Sequence, residues 1–235
     1  MKVFVLVAGV GTRISRFAQG LPKCLLKVGE TSLIRQMVDR MYQHGLRDIT
    51  LVTGYKNHLI EKELGDRVSY RHNPFFHVTN SISSLWFARD LLEGDALITN
   101  GDLYYEDRVL DLMLTEKRDV MMLSDKTRIQ EADYRFKLDG DRIVGYGKDI
   151  PNEETDAEYV GMAVIKKSFM PSFKKRLEEL ISKQDSNKWW EDVLYSFIPE
   201  GTSIHYRDVG GAFWAEVDYV EDYERIFRWV NEHNR

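Results

Sequence analysis

Five side chains in this sequence have the types and spacing for chemistry. Arg13 and Lys23 stand in a glycine-rich front segment, Ala8-Gly9-Val10-Gly11-Thr12-Arg13, with Lys23 ten positions after Arg13 in Leu21-Pro22-Lys23. Glycines let backbone N–H groups approach phosphate oxygens closely, making an anion nest at the C-terminal end of a strand. An arginine adds a planar fork of donors for phosphate, and a lysine adds a compact point charge. Asp102 follows an apolar run. Glu216 and Asp218 are spaced i, i+2, which puts both carboxylates on one face of an extended segment. Hard oxygen ligands of this kind suit Mg2+ shared with polyphosphate oxygens. The alternatives are solvated loop charges for Arg13 and Lys23 and a turn acid for Asp102 after Asn100-Gly101. Glu221 and Asp222 read as helix-start acids favoured by the dipole.

The bulk numbers narrow the setting. The chain has 235 residues, enough for one large α/β domain or two small ones, with 43% hydrophobic and 30% charged residues. A formal net charge of −5 argues against a nucleic-acid binder, which carries a basic surplus. Cys24 stands alone, which excludes an internal disulfide or a cysteine-rich zinc site and fits a reducing compartment. The apolar stretch Val3 to Ala8 is too short to span a membrane, and no signal-peptide cleavage pattern follows it, so the cytoplasm is expected. Charge is placed unevenly. Met1 to Gly29 holds five basic residues and no acidic one, whereas Trp189 to Glu224 holds nine acidic residues and one basic residue, Arg207. An acidic chain with a basic, glycine-rich front is suited to receive polyphosphate there.

The elements that must position these groups follow from the hydrophobic pattern. The valine-rich run 2–8 and the apolar runs 49–55 and 95–99 read as buried strands, with a further strand at 67–71. Helices are expected at 32–43, around 58–64, at 81–92 and at 106–115, with a strand at 118–124. This alternation argues for a parallel sheet with helical crossovers. In the second half, strands 134–139 and 142–147 meet in a hairpin across Asp139-Gly140, and a strand covers 159–165. Helices at 169–182 and 188–197, a β-pair around Gly210-Gly211 and a helix at 219–232 complete the chain. One domain over 1–235 is expected, an alternating β–α half (1–125) followed by a mixed half (126–235) that completes the sheet and covers the site.

A dinucleotide-binding loop would need a small residue at Ile14 and an acid ending the second strand, which ends instead in Val52-Thr53-Gly54. The P-loop pattern is absent. The Ala8–Arg13 segment with Pro22-Lys23 instead resembles the nucleotidyltransferase family that makes nucleoside-diphosphate sugars and alcohols, whose signature is L-x-A-G-x-G-[ST]-R followed by P-K. The resemblance implies an α/β fold that is Rossmann-like (GT-A-like): three layers, with a mixed, mainly parallel sheet flanked by helices. It also implies nucleotide contacts from Ala8, Gly9, Gly11 and Thr12. Arg13 would hold the leaving pyrophosphate, and Lys23 would meet the α-phosphate where charge must be stabilised. Asp102, Asp218 and Glu216 would hold Mg2+. The attacking phosphate is already anionic, so the reaction needs no general base.

Three further stretches resemble the phosphocholine cytidylyltransferase branch: Asn80-Ser81-Ile82-Ser83-Ser84-Leu85, Trp189-Trp190-Glu191-Asp192 and Trp214-Ala215-Glu216-Val217-Asp218. They imply CTP as donor, with Asn80, Ser81 and Ser84 as polar contacts to the pyrimidine. Helix capping is the alternative role for Asn80 and Ser81. The acceptor would be a phosphorylated amine or alcohol: phosphocholine, phosphoethanolamine, aminoethylphosphonate or a phosphorylated amino acid. A cationic acceptor wants aromatic faces and carboxylates, which Tyr104, Trp189, Trp190, Trp214, Glu191 and Asp192 supply; Lys148 is the candidate for its phosphate. Core packing is the alternative for the tryptophans. A sugar-1-phosphate nucleotidyltransferase is the nearest rival. A GT-A glycosyltransferase would carry Asp-x-Asp where Asp102-Leu103-Tyr104 stands, and a silent nucleotide-binding domain would have no use for the full set of competent residues. No nucleic-acid or membrane partner is expected, and a homodimer stays open.

Overall fold

The computed structural model describes residues 1–233. Strand β1 (Lys2–Val7) is apolar on both faces and sits between two parallel neighbours, β4 (Asp48–Thr53) and β6 (Ala96–Asn100). Two short strands, β2 (Lys27–Val28) and β3 (Thr31–Ser32), and helix α1 (Leu33–Gln43) lie between β1 and β4. Ser32 caps α1 by accepting from the Arg35 amide, and Leu33, Ile34, Met37, Val38 and Met41 form its buried stripe. Helix α2 (Asn57–Leu64), strand β5 (Ser69–His72) and helix α3 (Ser81–Phe87) complete the stretch before β6.

After β6 come β7 (Leu103–Tyr105), α4 (Arg108–Leu114) and β8 (Val120–Asp125). A hairpin of β9 (Arg135–Asp139) and β10 (Arg142–Gly147) leads to the long buried strand β11 (Ala157–Ile165). Helices α5 (Met170–Ser182) and α6 (Asp192–Tyr195), strands β12 (His205–Asp208) and β13 (Trp214–Glu216), and helix α7 (Val220–His233) follow.

The main sheet has nine strands in the order β5-β4-β1-β6-β11-β8-β12-β10-β9. The pairings make β10 and β11 run against the other strands, so the sheet is mixed but mainly parallel. Alternate residues of β1 face opposite layers. Val3, Val5 and Val7 pack with α1, α2 and α4, whereas Phe4 and Leu6 pack with α3, α5 and α6. Helices on both faces of one sheet give three layers.

A small second core decides where the carboxylates go. Strands β7 and β13 form an antiparallel ribbon outside the main sheet, pairing Glu216 with Leu103, and the Val217 amide donates to the Asp102 carbonyl at 3.0 Å. Helix α7 covers this ribbon through Ile226, Tyr223 and Trp229, which pack with Tyr104, Ala215 and Val217. The expected β-pair around Gly210-Gly211 does not form: β12 enters the main sheet between β8 and β10, and β13 leaves for the ribbon. Two expected helices are shorter. The 81–92 helix ends at Phe87 before a 3-10 turn at Arg89–Leu91, and the 188–197 helix is regular only over Asp192–Tyr195. No helix among the described residues is long and apolar enough to cross a membrane.

Candidate active site

The carboxyl ends of β1 and β6 lie side by side, with Leu6 paired to Asn100, and their following loops open a cleft of about 310 Å³. Two glycines make this junction. At Gly101 a Cβ would lie 2.1 Å from Val7 Cγ1, so only glycine lets the chain turn against β1 and deliver Asp102. Gly11 has φ +64°, and a Cβ there would lie 2.4 Å from Lys23 Cγ. Glycine therefore allows the left-handed turn and leaves a path for the Lys23 stem.

The five charged groups singled out in the sequence converge. Lys23 Nζ lies 2.6 Å from Asp102 Oδ2 and 2.7 Å from Asp218 Oδ1. Arg13 Nη1 lies 2.6 Å from Asp218 Oδ2, and its guanidinium stands 5.6 Å from the centre of the Tyr219 ring. Burial lowers the Lys23 pKa, but Asp102 and Asp218 outweigh it, so the ammonium stays firmly charged. Burial likewise raises Asp218, and Lys23 and Arg13 beside it more than offset this, so its carboxyl sits below the usual range. Glu216 lines the same cleft. Its burial, added to the negative charge of Asp102, pushes its carboxyl well above the normal range. Asn100 Nδ2 donates to Glu216 Oε1 at 3.4 Å, and Trp190 Nε1 donates to Asn100 Oδ1 at 3.0 Å.

Among the described residues no three carboxylate, imidazole or thiolate groups converge as a ready cage for a metal. Lys23 occupies the space between Asp102 and Asp218 instead. The donor set still fits a hard divalent cation that takes one or two carboxylates and completes its shell with phosphate oxygens and water. A cation arriving there would offset the repulsion from Asp102 that helps raise the Glu216 carboxyl.

The remaining predicted residues separate into two groups. Ala8, Gly9, Asn80, Ser81, Ser84, Lys148, Trp189 and Glu191 line the cleft. Asn80 is also the N-cap of α3, accepting from the Ser81 amide at 2.8 Å; Ser81 Oγ accepts from the Trp190 amide, and Ser84 Oγ from Asn73 Nδ2. Lys148 pairs with Asp133 at 2.6 Å and stands 5.4 Å from the Trp189 ring centre. Thr12 is exposed and lines a neighbouring depression with Arg13 and Asp218.

Four residues expected at the acceptor do not face the cleft. Tyr104 is buried beneath α7, its hydroxyl accepting from Arg40 at 3.1 Å. Trp214 is buried and donates to Asp125 at 2.7 Å. Trp190 is a core indole that orients Asn100, and Asp192 caps the turn by accepting from the Trp189 amide at 2.8 Å. In each case the polar end is used by the fold.

The sequence reading missed Asn100, Asp133, Tyr134, Tyr159 and Tyr195, all of which line the cleft. Asn100 could have been found from its place beside Gly101-Asp102 at the end of β6. Asp133 and Tyr134 lie in the loop before β9, Tyr159 on β11 and Tyr195 on α6, with no motif joining them.

A family model described as the MobA-like NTP transferase domain matches residues 3–183. The chain belongs to this family. It is therefore a nucleotidyltransferase, on the fold expected from the front motif. A CTP:phosphoglutamine cytidylyltransferase of Campylobacter jejuni is 22% identical, over 95% of this chain and 98% of the relative. A 2-aminoethylphosphonate cytidylyltransferase of Lancefieldella rimae is 28% identical, over 93% of this chain and 88% of the relative. The solved structure of the CTP:phosphocholine cytidylyltransferase of Streptococcus pneumoniae superposes with a TM-score of 0.73 at 19% identity, covering 97% of this chain and 98% of that one. This MobA-like domain thus resembles cytidylyltransferases along nearly its whole length.

One stability consequence follows from Glu191. Burial pushes its carboxyl up to about 8. An unfolded glutamate titrates near ~4.3, so between those values the native state holds a proton that the unfolded chain has lost. Stability therefore falls as pH rises through this window. Glu191→Gln is expected to melt higher than the parent at pH 8.5, by on the order of 2 kcal/mol or about 4–8 °C. At pH 4 the two should melt together. Thermal melts across pH check this; a gap of equal size at both ends would contradict it.

Proposed function

We propose that this chain is a Mg2+-dependent cytidylyltransferase. It joins CMP from CTP to a small phosphorylated or phosphonylated amine or alcohol, and releases pyrophosphate in the cytoplasm, where nucleotide pools lie. The observation that carries the reading is the convergence of Arg13 and Lys23 with Asp102, Asp218 and Glu216 in one cleft, which aromatic and acidic side chains also line. The front of the chain, 1–125, would hold the nucleotide, and 126–235 would complete the acceptor and metal sites.

In the proposed reaction the Ala8–Gly11 backbone cradles the triphosphate, and Arg13 takes the β- and γ-phosphates in a forked contact. Lys23 meets the α-phosphate, where negative charge builds in the transition state. An oxygen of the acceptor's phosphate or phosphonate forms the new bond to the α-phosphorus. The bond from the α-phosphorus to the bridging oxygen breaks, and pyrophosphate leaves with the electron pair. Bound Mg2+ would neutralise the phosphates, taking one or two carboxylates from Asp102, Asp218 and Glu216 and completing its shell with phosphate oxygens and water. Asn80, Ser81 and Ser84 lie where a pyrimidine could be held by hydroxyl and amide groups. Glu191 and the surrounding rings supply a site for a cationic acceptor.

The test is pyrophosphate release with CTP, UTP, dTTP and GTP, each against aminoethyl, choline and sugar phosphates. CTP with an amine- or alcohol-bearing acceptor should exceed every other pair by at least about tenfold, the discrimination expected when a site's polar groups fit one base. Preference for UTP or dTTP with a sugar 1-phosphate would replace this reading by the sugar-nucleotide one.

A further inference from the structure

The cleft also holds buried polar atoms that the fold leaves unpaired. Glu191 Oε2, Tyr159 Oη and Tyr195 Oη have no hydrogen-bond partner among the described residues. The three residues are only 5%, 8% and 1% exposed, yet all of them line the cleft. The Tyr159 hydroxyl lies beside the Glu191 carboxyl. Tyr134 gathers the surrounding rings: it stacks on Tyr195 at 5.4 Å and meets Trp189 at 6.0 Å and Tyr159 at 6.4 Å. The nearby cation, Lys148, is already paired with Asp133.

Buried polar groups in native proteins are almost always paired, so three unpaired ones facing a ligand cleft are a record of what the ligand brings. A neutral hydroxyl would satisfy one of them and gain little from the ring faces. A trimethylammonium group would gain from the faces but has no N–H to donate. A primary ammonium has three N–H donors and a full charge, so it can draw the Glu191 carboxyl into its ionised form, pair with it and lie against the rings.

Resting on the cytidylyltransferase reading, we infer that Glu191, Tyr159 and Tyr195 select an acceptor that carries a primary ammonium group, and discriminate against its quaternary counterpart. The phosphate or phosphonate at the acceptor's other end then reaches toward Lys23. Glu191 sets the charge preference; the tyrosine hydroxyls count the donors.

The test uses a methylation series: 2-aminoethyl phosphate and its N-methyl, N,N-dimethyl and N,N,N-trimethyl derivatives, with inositol 1-phosphate as a neutral control. With CTP and Mg2+, kcat/KM should fall along the series, with the trimethyl compound about 100-fold below the primary amine, because each methyl removes a donor from a buried acceptor. Glu191→Gln and Tyr159→Phe should narrow that gap about tenfold or more by raising KM for the primary amine, while KM for CTP stays in place. A trimethyl compound or inositol 1-phosphate that equals or beats the primary amine overturns the inference and leaves the cytidylyl reading standing. Turnover of a sugar 1-phosphate with UTP or dTTP, and of none of the series with CTP, overturns both. Calorimetric titration of the same compounds into the protein ranks them without turnover, and the same order is expected there.

Discussion

Lys23→Ala is expected to lower kcat/KM for nucleotide transfer by about a thousandfold, the loss found when a preorganised donor to a developing oxyanion is removed. Most of the loss should fall on kcat, because the charge that Lys23 meets at the α-phosphate grows only as the new bond forms. The fold should survive, since Lys23 belongs to none of the three cores and the nine-stranded sheet forms without it. Asp102 loses its ion pair in this variant, while Asp218 keeps Arg13. A drop of several degrees in melting temperature is therefore expected, with the far-ultraviolet circular dichroism spectrum unchanged. Steady-state kinetics beside that spectrum decides the matter. A loss under tenfold in a folded variant would remove Lys23 from the chemistry.

How much of this was legible in the sequence follows from the physics of each part. Buried parallel strands are apolar on both faces, so β1, β4 and β6 announce themselves as short apolar runs. The convergence of the front loop with Asp102 rests on Gly11 and Gly101, which stand where no side chain fits. The ribbon that carries Glu216 was not readable. Strands β7 and β13 have three residues each, too few for a periodicity, and their pairing joins parts of the chain more than a hundred residues apart. The spacing of Glu216 and Asp218 pointed to a shared face, yet only α7 packing on the ribbon turns that face toward Asp102.

Aromatic identity misled for a related reason. Trp189 and Trp190 are neighbours in sequence, but one is exposed at the cleft rim and the other is fully buried. Composition told that rings and carboxylates were plentiful near the end of the chain. It could not tell which rings face outward, and it missed Tyr134, Tyr159 and Tyr195, which three different elements bring together.

The second large effect concerns the metal. The Lys23 ammonium stands 2.6 Å from Asp102 and 2.7 Å from Asp218, between two of the carboxylates proposed to hold the metal. A cation arriving alone must displace it, and the freed ammonium then has no anion to meet. A triphosphate supplies that anion, so nucleotide and metal should bind cooperatively, with each tightening the other equally. Two unit charges at ~4 Å interact by about 4 kcal/mol at an effective dielectric constant of ~20, and solvent at the cleft mouth reduces this. Even a third of that value corresponds to about a tenfold change in affinity.

The most direct measurement is therefore Mn2+ binding, read by electron paramagnetic resonance, to the nucleotide-free parent and to Lys23→Met, a variant that fills the same space without the charge. If carboxylates for the metal and a lysine for the α-phosphate share one site, the crippled variant should bind Mn2+ about tenfold more tightly than the parent, and adding CTP should tighten the parent far more than the variant. If Lys23→Met binds Mn2+ no better than the parent, and CTP tightens both alike, Asp102 and Asp218 do not hold the metal opposite Lys23 and the proposed mechanism is wrong.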